Sequence, residues 1–349
     1  APGLVAPDFT WETVTQMDFG FDASFLNNRL TGTFDWYRRN TKDMLVAGAT
    51  LPATLGASVP KSNSADMKTI GWELSLGWND RLENGFSYWV KGVLSDYQAT
   101  ITKYAGNDAG FYSQSDGDGK YYVGQKIGEI WGYHSNGLFQ SDDEAATIDQ
   151  SELYAGKWGA GDVKYEDLDN DGKITKGEET IYNPGDKSII GNKTPRYQFG
   201  ITVGFDYKNF DFEMFWQGTG KRDYMLSGAQ FWGFTSQWDV PYTPALDYWT
   251  ETNTDAYFPR PGWQNGGNRV TSDRYLQSAA YGRLKNLTVG YTIPKNLTTK
   301  WGISRLRLYV TGENLLTITP LNDAFDPETL GGMTYPINRK VAIGLNLTL

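Results

Sequence analysis

The chain has no cysteine and a single histidine among its 349 residues. Disulfides therefore contribute nothing, which argues against a small disulfide-stapled secreted domain. A zinc site built on Cys and His pairs is excluded as well. No apolar run approaches the ~20 residues a transmembrane helix needs, and the mean hydropathy is -0.51. Positive charge is also short. Thirty-two Lys and Arg face 41 Asp and Glu, for a net charge of -9, which argues against a nucleic-acid partner. The sequence begins at Ala1 with no charged n-region and apolar h-region after it. Either a leader has been removed or the chain begins inside a longer protein.

Aromatic residues and glycine are plentiful. They make up 15% of the chain and 40 residues, respectively. That composition suits a transmembrane barrel, with rings at the membrane interfaces and glycine on crowded inner faces. It equally suits a secreted carbohydrate-binding β-sandwich, and composition leaves both open.

Periodicity separates them. In Lys68 to Trp78 the even positions Ile70, Trp72, Leu74, Leu76 and Trp78 are apolar, while Thr69, Gly71, Glu73, Ser75 and Gly77 are polar or small. Arg196 to Tyr207 alternates in the same way. Val341, Ile343, Leu345, Leu347 and Leu349 form the oily side of the last segment. Period 2 over ten residues predicts long strands with one oily face. About ten residues at ~3.3 Å each, tilted ~40°, cross the ~25 Å apolar band of an outer membrane. Small polar residues on the other face suit a wet lumen better than a second sheet.

Hairpins are predicted for Val14–Leu26 with Arg29–Arg38, Lys68–Trp78 with Phe86–Asp96, Arg196–Tyr207 with Phe210–Gln217, and Leu284–Ile293 with Arg305–Glu313. Their turns carry Asn, Asp, Gly and Pro. Longer segments separate the pairs, at about 40–66, 99–195, 218–280 and 314–337. Pro244 could open a short helix within Tyr242–Thr250. Short turns on one side and long loops on the other are the outer-membrane asymmetry. The fold expected is all-β, a transmembrane antiparallel β-barrel with long extracellular loops and roughly ten strands here.

Two segments carry site chemistry. Asp167 to Glu178 fits a calcium loop of the EF-hand type. Asp167, Asp169 and Asp171 occupy its first, third and fifth positions, and Gly172 the sharp turn. The Lys173 carbonyl, Thr175 through water, and Glu178 complete a shell of hard oxygens. The expected cofactor is Ca²⁺ in a structural role; the bland alternative is an acidic solvated turn. The second segment is Phe231–Trp238, in which Trp232, Phe234 and Trp238 are the candidate substrate-binding rings, for carbohydrate stacking or peptide capture. Packing within a loop or an interfacial girdle is the competing reading. His134 is expected to satisfy a local hydrogen bond. No catalytic residue is assigned, because no Gly-x-Ser-x-Gly or similar motif accompanies it. Arg305 and Arg307 are expected as lumen charges or as partners of acids such as Glu313.

Several segments resemble the SusC/RagA-type branch of TonB-dependent outer-membrane transporters. They are Tyr281–Pro294 (YGRLKNLTVGYTIP), Gly302–Leu316 (GISRLRLYVTGENLL) and Phe325–Glu328 (FDPE), with Trp11–Gln16, Asn27–Gly32, Asn40–Asp43, Gly161–Tyr165 and Tyr257–Arg260 upstream. The matches keep the family's order and cover most of the chain. The resemblance implies a C-terminal portion of a barrel of about 22 strands, without plug or TonB-contacting segment. It further implies residence in the outer membrane and import of glycan or peptide fragments. The implied partners are a SusD-like surface lipoprotein and, through the absent part, TonB. Two other readings stay open: a soluble calcium-stabilised carbohydrate-binding β-protein, and a passive porin-like barrel. Leu349 stands where an aromatic is commoner in the family.

Overall fold

The computed structural model describes residues 9–47, 60–105, 121–330 and 335–349. The long strands β1 (Thr13–Phe25), β2 (Leu30–Ala47), β3 (Lys61–Arg81) and β4 (Ser87–Tyr104) come first. One connection then carries β5 (Glu129–Tyr133), β6 (Ser135–Leu138), β7 (Val163–Tyr165) and β8 (Lys187–Asn192). The hairpin β9 (Arg196–Tyr207) and β10 (Phe210–Lys221) follows, then β11 (Asp223–Met225) and β12 (Leu276–Ser278). The last three are β13 (Tyr281–Thr292), β14 (Arg305–Ile318) and β15 (Lys340–Thr348).

Nine strands form one antiparallel meander, in the order β1-β2-β3-β4-β9-β10-β13-β14-β15. The sheet is open, with β1 and β15 each paired on one side only. The expected hairpins all form. The strands run further than their oily alternation, however. Pairing of β2 with β3 continues to Ala47↔Lys61 through shifts around Met44, inside the segment read as a loop at 40–66. Likewise β4 extends to Tyr104, β10 to Lys221 and β14 to Ile318. Beyond the lipid band a ladder no longer needs an oily face, so its pattern fades while its hydrogen bonds persist. Parts of the expected loops, 48–59, 106–120 and 331–334, lie outside the described residues. Pro244 does open a helical turn, a single 3₁₀ turn at Thr243–Leu246.

Cross-strand partners share a face, and the register sorts the wall into two. One row runs Tyr88, Phe205, Phe212, Val289, Val310, Ile343 across six strands. The next row runs Trp89, Gly204, Glu213, Thr288, Thr311, Ala342. The first face is bare: Phe19 is 66% exposed, Ile343 83% and Leu345 62%. A soluble sandwich would need a second sheet over it, and none covers it among the described residues. Near the short turns this face carries stacked rings, Phe86–Phe205 at 5.4 Å and Phe205–Phe212 at 5.1 Å, as an interfacial girdle would. The other face carries polar and small residues with rings such as Tyr37, Trp89 and Tyr309 set among them.

Because the wall gives its apolar side to lipid, protein-side burial collects elsewhere. The main core is built from the connections. Tyr133, Val163, Tyr165 and Ile174 come from the β4–β9 connection. Leu226, Phe231, Trp232, Phe258 and Tyr275 come from the β10–β13 connection, and Leu321 and Leu330 from the one after β14. Three connections thus form one cap with a common core. The two-stranded ladders β5–β8, β6–β7 and β11–β12 frame it.

Candidate functional site

The acidic loop 167–178 sits on the flank of this cap. Ile174, at the eighth position of the motif, is fully buried in the cap core. Asn170 and Gly172 adopt positive φ (60° and 84°), which bends the backbone back toward its carboxylates. Gly172 N–H donates to Asp167 at 2.8 Å, and Lys173 N–H donates to Asp171 at 2.8 Å. Carboxylate oxygens of Asp167, Asp169 and Asp186 lie within 4.8 Å of one another. Two oxygens bound to one Ca²⁺ at ~2.3–2.6 Å can be at most ~5 Å apart, so these three fit a single hard cation. Asp171 and Glu178 do not belong to this group. Glu178 begins a separate hairpin, its N–H bonded to the Asn183 carbonyl at 3.0 Å. The chain returns through Gly185 to Asp186, which is fully buried and accepts from Leu168 N–H and Thr175 N–H at 2.7 Å each. Asp186 lies eight residues past the twelve-residue template, which is why spacing alone missed it. Desolvation opposes the charge of Asp167, but the Gly172, Asn170 and Asp171 amides outweigh it and hold its pKa below the ordinary value. Desolvation, with the charges of Asp171 and Asp186, pushes Asp169 up. A cation placed among them would relieve that repulsion.

The aromatic block divides. Phe231 is fully buried and sits edge-on to Trp232, Phe258, Tyr275 and Phe325 at 5.0–6.2 Å. Trp232 is 9% exposed, with Tyr275 edge-on at 4.5 Å. Trp232 is thus mostly a core ring, and what remains exposed lines a small cleft. Phe234 is half-buried, beside a cleft with Tyr248 and Arg269 that leaves room only for about a water molecule. Trp238 is 83% exposed, on a turn held by Asp239, whose carboxylate accepts from the Thr235 and Ser236 amides at 2.7 Å. Trp232 and Phe234 line this one cleft, and Trp238 is not among its lining residues.

His134 is hydrogen-bonded, as expected for a lone histidine. Its Nδ1 lies 2.7 Å from Asp273 Oδ2 and its Nε2 2.7 Å from Ser188 Oγ. It thereby ties the two arms of the β4–β9 connection to the β10–β13 connection. Ser188 is backbone-paired to Gly132 in the β5–β8 ladder, and the trio serves as a clasp of the cap. A second polar tie is Asp162, which is 1% exposed and accepts from Arg260 Nε (3.0 Å), Arg260 Nη2 (2.7 Å), Asn268 Nδ2 (2.8 Å) and Gly159 N–H (2.9 Å).

On the inner face, Arg307 reaches across Gly290 to grip Asp211 with both nitrogens, and its guanidinium lies 4.9 Å from the Tyr309 ring. Arg305 is exposed. Glu313 pairs with Lys340 at 3.6 Å, not with either arginine. Bulky inner rings lie flat over glycines of the next strand: Tyr37 over Gly71, Trp89 over Gly204, Tyr309 over Gly344.

These features agree with what known proteins show. The profile of the family described as "TonB dependent receptor-like, beta-barrel" matches residues 2–315. TonB-dependent receptor P3 of Formosa agariphila is 30% identical over 99% of this chain and 35% of its own length. TonB-dependent receptor SusC of Bacteroides thetaiotaomicron is 26% identical over 99% of the chain and 33% of its own length. The RagAB peptide transporter structure superposes with a TM-score of 0.73 at 21% identity, covering 98% of this chain and 36% of that one. The chain thus spans about a third of the length of the relatives it matches. It is a partial wall of an outer-membrane barrel with its cap, and it belongs to the TonB-dependent receptor-like β-barrel family.

Proposed function

We infer that this chain supplies wall and extracellular cap to a TonB-dependent importer of glycan or peptide fragments. The observation that carries the reading is the division of labour between its faces. The wall presents an uncovered oily band outward and a polar, ring-paved face inward. The long connections pack into a separate ordered cap at one end. A passive pore needs the wall but no cap with a core of its own. The likeness to RagAB, a peptide transporter, makes oligopeptides the first ligands to try; oligosaccharides, suited to the exposed Trp238, come second. A SusD-like surface lipoprotein is the proposed lid, and TonB the energy source through parts of the protein outside this chain. The test uses the full-length protein. It should run at different positions on gels when boiled and unboiled, and copurify with a SusD-like surface lipoprotein. Its deletion should abolish uptake of one fragment class in a TonB-dependent way. Recovery in a soluble fraction, or uptake insensitive to TonB loss, would sink the reading.

The same inference extends to the loop 167–178. Its oxygen donors suit Ca²⁺, with Asp167, Asp169 and Asp186 as the central ligands and Asp171, the Lys173 carbonyl, Thr175 and Glu178 as the further donors that the loop spacing assigns. Bound there, the ion would neutralise three neighbouring carboxylates and stiffen the flank of the cap, since Ile174 plugs directly into its core. Terbium luminescence on the full-length protein measures it, with calcium as competitor. Absence of a calcium-competable signal would leave the loop an acidic turn.

A further inference from the structure

The connection after β14 does not simply lead away from the wall. Residues 319–330 turn back toward the inner face of β13. The register identifies that face. Arg283 stands opposite Gln217 on β10 and Thr317 on β14, and Gln217 opposite Gly200, all in the inward rows. A bulge at this level sets Lys285 and Asn286 together against Phe215. Both cations of the Arg283-Leu-Lys285 stretch therefore project from the lumen side of the strand.

Arg283 is only 2% exposed, and its acidic partners come from the returning segment. Its Nε donates to Thr317 Oγ1 at 2.9 Å and its Nη2 to Asp326 Oδ2 at 2.6 Å. Its Nη1 lies 3.3 Å from Glu328 Oε1 without hydrogen-bond alignment. Lys285 Nζ donates to both oxygens of Glu328 at 3.0 Å. The two acids are held in fixed relation, because Asp326 Oδ1 accepts from Glu328 N–H at 2.9 Å and the Asp326 carbonyl from Leu330 N–H at 3.0 Å. The same segment has its other grip in the cap. Leu321 is 2% exposed and Leu330 5%, both in the cap core. The Phe325 ring is 6.2 Å from Phe231, and Asn322 N–H donates to Gln277 Oε1 at 3.0 Å.

The geometry points to a latch: residues 319–330 are a strap that ties the cap to the lumen face of β13, locked by Arg283 and Lys285 on Asp326 and Glu328. Two cations meet two carboxylates, so the lock is neutral as a whole. Its chemistry favours position over strength. Dehydrating four charges offsets much of their attraction, whereas apolar side chains of similar size would hold as firmly without setting an orientation. Asp326, Glu328 and Lys285 keep 29%, 19% and 26% of their side-chain surface exposed. Salt, or a carboxylate-bearing solute in the lumen, can therefore compete for the cations and let the strap, with Leu321, lift out of the cap core. The strap thereby becomes a movable element beside the conduit, and in this structure it is seated.

Only the naming of the lumen face rests on the transport reading; the test does not require transport. In the full-length protein in membranes, with any cysteine outside this chain replaced, Leu321→Cys places a thiol on the strap itself, buried in the cap core while the strap is seated. With the lock intact, maleimide labelling should be slow. Asp326→Asn with Glu328→Gln should raise the labelling rate tenfold or more, and the isosteric Glu328→Gln alone by less. Salt near ~1 M, where screening acts within ~3 Å, should speed labelling with the lock intact and not in the double variant. Unchanged gel migration of unboiled protein verifies that the barrel is assembled. Fast labelling with the lock intact would overturn the strap. Slow labelling in the double variant, or no salt effect with the lock intact, would overturn the lock. Failed import with these labelling results intact would count against the transport reading alone.

Discussion

Arg260→Ala tests whether the cap is held as one body by its buried charge. Asp162 is 1% exposed and Arg260 40%. Removing one member of a buried pair typically costs ~3–5 kcal/mol, because the other charge is left uncompensated. Here the low end applies. The arginine is partly solvated, and Asp162 keeps Asn268 Nδ2 at 2.8 Å and Gly159 N–H at 2.9 Å. A loss of ~3 kcal/mol is about a hundredfold in the opening equilibrium. Amide exchange of residues 139–165 and 247–269 in the full-length protein reads it, and protection should fall by that factor while β13 and β14 stay unchanged. Asp162→Asn added to Arg260→Ala removes the stranded charge, so the double variant should recover part of the protection. Unaltered protection in Arg260→Ala, or simple additivity in the double variant, would refute the argument.

Four further outcomes follow from named contacts. Ile343→Arg puts a charge on the outward face at the middle of β15 and should destabilise the barrel by ~2–4 kcal/mol at the bilayer midplane. The inward Ala342→Lys should not, as judged by the temperature at which gel migration shifts. Gly204→Val would drive a side chain into the Trp89 ring and cost ~1–3 kcal/mol; Trp89→Ala in the same protein should restore most of the loss. Asp167→Asn or Asp186→Asn should abolish calcium-competable terbium luminescence, and Glu178→Gln should leave most of it, since Glu178 stands apart from the carboxylate group. Lys164 and the Gln140 amide hold the Glu144 carboxyl below its ordinary pKa. Its contribution is therefore present above the unfolded carboxylate range and lost as pH falls through the lowered folded value. Exchange near residues 140–146 should speed up under acid, and Glu144→Gln should remove that pH dependence.

The wall was legible in the sequence and the cap was not, for one physical reason. Lipid imposes a strict two-residue period on every strand it touches, so Arg196–Tyr207 can be bounded to the residue from pattern alone. Nothing comparable acts above the membrane. Pairing of β2 with β3 past Met44 follows bulges, not alternation, and leaves no mark in composition. The cap core joins Tyr165, Phe231, Tyr275 and Leu321 from three connections, and no window of sequence contains two of those connections at once. Trp232 accordingly reads as a free ring until the connections are folded together. Asp186 and Arg283 escape for the same reason: each acquires its role from a segment that returns, through the Gly177–Gly185 hairpin in one case and the 319–330 strap in the other. In a barrel of this kind the membrane writes the scaffold into local sequence, whereas the chemistry that meets solute is written in long-range pairs. Substitutions across such pairs, Arg260 with Asp162 or Glu328 with Lys285, should therefore report on function more sharply than any change in the alternating strands.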